Sequence, residues 1–106
     1  MPKYLVSANY VGEGIKGLLK EGGSSRQAAV KKLAGSLGGS VESMYYAFGE
    51  TDVYIIADMP DNASMTALAL TVGASGAVTL TTTVLMTPAE VDEATKKTPN
   101  YSPPGQ

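Results

Sequence analysis

The sequence contains no cysteine, no histidine and no tryptophan, and a single phenylalanine among its 106 residues. Without cysteine there are no disulfides and no thiolate chemistry. Without histidine the commonest general base, the usual ligand for zinc and iron, and any serine–histidine relay are missing. No metal and no cofactor is therefore expected. Charge is sparse, with 8 basic and 10 acidic residues and a net charge of −2. That leaves no basic footprint, so nucleic acid is not an expected partner. No apolar run is long enough to span a bilayer. The start, Met1-Pro2-Lys3-Tyr4, has one lysine and no long apolar stretch behind it, unlike a secretory leader. The expected location is the cytoplasm, with no membrane partner.

What is present is enough for one domain with one core. Residues Lys3 to Tyr10 alternate and read as a strand, with Tyr4, Val6 and Ala8 on one face and Leu5, Ser7 and Asn9 on the other. Ile15, Leu18 and Leu19 predict one or two helical turns closed by Gly22-Gly23. Ser24 and Gln27 fit a capping box, and Val30, Leu33, Ala34 and Leu37 follow at helical spacing. A helix is predicted from about Ser25 to Leu37, stopped by Gly38-Gly39. Val41 to Phe48 is a second strand and Val53 to Asp58 a third, paired as a hairpin across a short link. Pro60-Asp61 opens another helix whose buried stripe is Met65, Leu68, Ala69 and Val72. Gly73 and Gly76 are expected to end it. Ala77 to Met86 is a threonine-rich fourth strand. Thr87, Pro88 and Glu90 then predict a short polar helix to about Lys96.

This order predicts an α+β fold, the ferredoxin-like βαββαβ arrangement. One antiparallel sheet, in strand order 4-1-3-2, should carry both long helices on one face, followed by the short C-terminal helix. Residues 1–96 form the domain and 97–106 a proline-rich tail. The more apolar set of the last strand, Val78, Leu80, Val84 and Met86, should face the helices. Asn9, Tyr54, Thr81 and Thr83 should lie on the bare face, where they could contact a small ligand between two sheets.

Other candidate chemistry is thin. Asp52 and Asp58 would share a face roughly 20 Å apart, too far for a shared proton or a carboxylate pair. Asp52 is better suited to capping the hairpin turn. Gly12-Glu13-Gly14 has neither the lysine-serine pair of a phosphate loop nor a dinucleotide fingerprint. Lys16 and Arg26 are expected in solvent, and Tyr10, Tyr45 and Tyr46 as packing tyrosines.

Several short motifs stand out: Gly14-Ile15-Lys16 after the first strand, Arg26 early in the long helix and Gly38-Gly39 at its end. Tyr46, Gly49 and Asp52, then Pro60-Asp61 and Gly76, follow them. In these features the chain resembles the GYD domain family, small bacterial proteins named for a glycine-tyrosine-aspartate signature. Here Gly49 and Asp52 stand in the signature region, with threonine where the tyrosine is expected. The resemblance implies a ferredoxin-like fold related to dimeric α+β barrels, and no particular activity.

Between Asp61 and Glu90 there is no charged residue. A surface helix of a monomer normally carries charge on its outer face. Here that face is Ala63, Ala67, Leu70 and Ala74, which suits packing against another protein surface. The expected partner is a second copy of the chain, as a homodimer or larger homo-oligomer. Three functions remain open: an oligomeric module binding a small molecule at the sheet-lined interface, a cofactor-independent enzyme using Tyr, Asp or Lys, or a purely structural assembly.

Overall fold

The computed structural model describes residues 1–47 and 49–106. The chain forms β1 (Lys3–Tyr10), α1 (Glu13–Glu21), α2 (Gly23–Ser36), β2 (Ser40–Tyr46), β3 (Val53–Asp58), α3 (Asn62–Ala74), β4 (Val78–Leu85) and α4 (Pro88–Thr95). The four strands make one antiparallel sheet in the order β2-β3-β1-β4. This is the α+β, ferredoxin-like arrangement that the alternation and helix spacing predict. The second-strand position Phe48 lies outside the described residues.

Strand alternation sorts the side chains as expected. Tyr4, Val6 and Ala8 of β1 and Val53, Ile55 and Ala57 of β3 are buried under the helices. They meet Ala34 of α2 and Met65 and Leu68 of α3 in one apolar cluster. Met59, just past β3, is also fully buried. Gly39 makes room for it, because a Cβ there would run into the Met59 sulfur and the Asp58 carbonyl. The Tyr4 phenol, almost wholly buried, donates to Asn62 Oδ1, so its hydroxyl is satisfied within the core.

Local capping signals worked where the cap is a side chain. The Asp61 carboxylate accepts from the Ser64 N–H at 2.8 Å, and these bonds hold its pKa below the usual range. Thr87 and Glu90 form the full capping box, with Pro88 in the first turn.

The Ser24–Gln27 box does not form. Gly22, at φ +83°, ends α1 and begins α2 by itself, so α2 starts before Ser24 can cap it. Two further expectations shift. Gly73 lies inside α3, which runs to Ala74 with Ser75 as its cap. On β4, Val78 and Leu80 pack towards the core, but Val84 and Met86 stay 59% and 58% exposed. The helix layer covers only the first half of that strand.

Candidate functional site

The open face is organised in rows across the sheet. One row runs Tyr45, Tyr54, Ser7, Thr81, and the next runs Ser43, Ile56, Leu5, Thr83. Tyr54 and Thr81 thus lie about 10 Å apart, two strand spacings, with Thr83 one row on. The structure brings these three expected ligand residues onto one surface. Asn9 sits one row further, opposite Thr79. Its Oδ1 is already engaged, accepting the Asp52 N–H at 2.9 Å. Charge lies at the two ends of the face, with Asp52 beside Asn9 at one and the Lys3 ammonium donating to Asp58 at 2.8 Å and Glu42 at 3.0 Å at the other. Those two bonds, Asp58 first, raise the Lys3 pKa above its ordinary value.

A second constellation forms at the opposite end of the sheet, under α1. Asp52 does not cap the hairpin turn. Its carboxylate reaches across to β1 and accepts the Tyr10 N–H at 3.0 Å, while its own N–H also donates to the Ala8 carbonyl at 3.1 Å. Its carbonyl accepts from Ala47 at 2.7 Å. One residue therefore ties three chain segments together. Beside it the Tyr46 hydroxyl donates to the Gly23 carbonyl at 3.0 Å. Burial, and then the neighbouring Tyr10, push the Tyr46 phenol up to about 12, with Arg26 pulling the other way. Tyr46 is a neutral donor at any physiological pH.

Between the helices and the sheet lies an apolar cavity of about 80 Å³, walled by residues such as Val6, Ile55, Val30, Ala34, Leu68 and Val72. A wider pocket of about 300 Å³ lies beneath α1, and Tyr10, Arg26, Val72 and Val78 line both. Arg26 is the only arginine of the sequence. It is half-buried beside both pockets, not solvated as its helical position suggests, and among the described residues its ionic partner is Glu21 at 3.7 Å. The signal was present: Arg26, Val30, Leu33 and Leu37 share one helical stripe, so Arg26 points inward with them. Among the described residues no group of three carboxylates has metal-binding geometry.

Gly14, Arg26, Tyr46 and Asp52, which carry part of the family resemblance, meet at this end of the molecule. Residues 4–95 match the GYD domain family. The chain belongs to that family. No curated protein and no solved structure matches it significantly. In this GYD domain the signature-region residue Asp52 is a structural clasp, and Gly49 lies in open space where an added Cβ would meet nothing.

Replacing Asp52 by Ala should leave the partly buried Tyr10 N–H without a partner and cost about 1–3 kcal/mol. Asp52→Asn keeps an acceptor and should cost less. Urea denaturation of the two variants checks this, and equal losses would show that the carboxylate is not the clasp.

Proposed function

We propose that this GYD domain works as a homo-oligomeric module that pairs open sheet face to open sheet face. A small molecule would be held in that interface against Asn9, Tyr54, Thr81 and Thr83. The observation that carries the reading is the uncharged centre of the face. Two full rows of apolar, hydroxyl and phenol side chains stand there, and Tyr45 is 72% exposed. Among the described residues, the ion pairs of this face lie at the Lys3 end. Such a surface loses little on desolvation and gains from burial of Leu5, Ile56 and the tyrosine rings.

The sheet presents a projected footprint of roughly 500 Å². Side-chain relief brings that to the low end of what a stable dimer buries per partner. Further contact from outside the sheet would strengthen it. The uncharged α3 face of Ala63, Ala67, Leu70 and Ala74, the β4 edge, and the C-terminal arm are the surfaces that would build a larger assembly.

Light scattering at micromolar concentration should give at least twice the protomer mass. Tyr54→Lys should halve it without changing the far-ultraviolet circular dichroism, because two unpaired ammonium groups would be buried at the interface. A monomeric wild type would overturn the assembly. A native mass spectrum of protein purified from its source would show a retained ligand as added mass on the dimer. Loss of that mass in a Tyr54→Ala, Thr81→Ala variant would place it on this face.

A further inference from the structure

The helix layer has a seam. α2 packs mainly on β2 and α3 mainly on β4, so the two helices meet over the middle of the sheet. The cavity of about 80 Å³ lies under that seam. A cavity of ~150 Å³ is large enough for a benzene ring, so this one admits a short aliphatic chain of a few carbons. Its walls are otherwise hydrocarbon and the Tyr10 ring. In the wall that this cavity shares with the pocket beneath α1, the neck of the proposed site, stands the sole arginine.

We propose that this cavity, with Arg26 at its neck, binds a short-chain aliphatic carboxylate. The chain would enter the seam and the carboxylate would pair with the guanidinium in the wider pocket. An apolar pocket with one convergent charged group is the usual form of a small-molecule site. A planar guanidinium pairs with a carboxylate through two parallel hydrogen bonds. Arg26 is available for this exchange. Glu21 stands 3.7 Å away, beyond a direct hydrogen bond, and is itself half-exposed at 46%. An incoming carboxylate replaces one long contact with a bidentate pair. The Tyr10 ring shares the neck. The backbone that carries it is fixed by Asp52, through the Tyr10 N–H.

The test uses the full chain, with pentanoate as the probe and pentan-1-ol as its uncharged counterpart, followed by amide chemical shifts in a titration. Pentanoate should bind saturably in the range of about 1 mM or tighter, with the largest shifts at Ala29, Val30, Val72 and Leu80. Pentan-1-ol should bind at least about tenfold more weakly, since a hydrogen bond to a charged group is lost. Arg26→Gln should weaken pentanoate about tenfold or more and leave pentan-1-ol unchanged. Glu21→Gln, which removes the competing carboxylate, should tighten pentanoate. Ala29→Trp, at an exposed rim position, should close the seam and abolish both. Decanoate should gain nothing over pentanoate, because the cavity ends.

Absence of saturable shifts, shifts confined to the open sheet face, or equal loss of both probes in Arg26→Gln would each overturn the site. If Ala29→Trp does not fold, the two neck variants decide alone. The site does not depend on the sheet-face dimer: mass reports one and chemical shift the other.

Discussion

Gly14→Ala is expected to destabilise the domain by about 2–3 kcal/mol, while Gly17→Ala, one turn further along the same helix, stabilises it by about 0.5–1 kcal/mol. Gly17 lies in the interior of α1, where alanine gains helix propensity, and Gly14 in its first turn, where the loss on substitution comes from packing. Gly17 has nothing within 4 Å of an added Cβ. Gly14 is buried, and a Cβ there would drive into the carbonyl of Ala77, a backbone atom that cannot rotate away. That carbonyl also accepts the Val11 N–H at 2.9 Å, and the Gly14 N–H donates to Val11 at 2.9 Å. Relief of the clash must move α1 or break the bond that seats β1 beside the start of β4. Urea denaturation gives both values. A Gly14→Ala variant as stable as wild type would mean that α1 is loosely seated, and the pocket beneath it would lose its roof.

What the sequence reveals divides along the range of the forces involved. Strand faces, the buried stripe of α3 and the caps at Asp61 and Thr87 depend on neighbours within a few residues, and all are legible. The sheet order follows, because antiparallel connections of this kind leave few alternatives. Features set by contacts distant in the chain are not legible. Asp52 is linked to Tyr10 across 42 positions, so its local setting suggested only a turn. Ser24 looked like a cap because its spacing to Gln27 is right. The left-handed Gly22 had already turned the chain by then. Val84 has the alternation of a core residue, yet α3 ends before it can cover the later half of β4. The charge of Arg26 points to solvent, whereas its place on the Val30–Leu33–Leu37 stripe points inward. Tyr54, Thr81 and Thr83 share one face of the sheet, which strand alternation alone decides.

Removing residues 87–106 should reduce the assembly and leave the protomer intact. The expected size is about a 100-fold rise in the concentration at which subunits dissociate, equivalent to burying one or two apolar side chains. The radius of gyration is 17.1 Å and the longest extent 59 Å. A compact domain of this length has a radius near ~13 Å. The excess comes from the C-terminal arm: every residue from Pro88 to Gln106 is exposed, including Val91 and Tyr101. A helix as short as α4 is marginal in water even with a good cap. The arm carries two exposed apolar groups, Val91 at 47% and Tyr101 at 71%. On the body, Leu70 at 69% exposure, Val84 and Met86 form the uncharged surface beside α3 and β4. A second copy of the chain supplies both halves of such a contact, arm to body and body to arm, which is the symmetry an isologous dimer requires. In the wild type, hydrogen exchange at the Val91 amide should slow as concentration rises through the assembly range. The truncated chain should keep the cooperative unfolding of its sheet at high dilution, where both forms are dissociated. Leu70→Lys in the full chain should mimic the truncation in mass while leaving α4 in place. A truncated chain that assembles as tightly as wild type would show the arm to be free, and loss of cooperative unfolding on truncation would show it to belong to the fold.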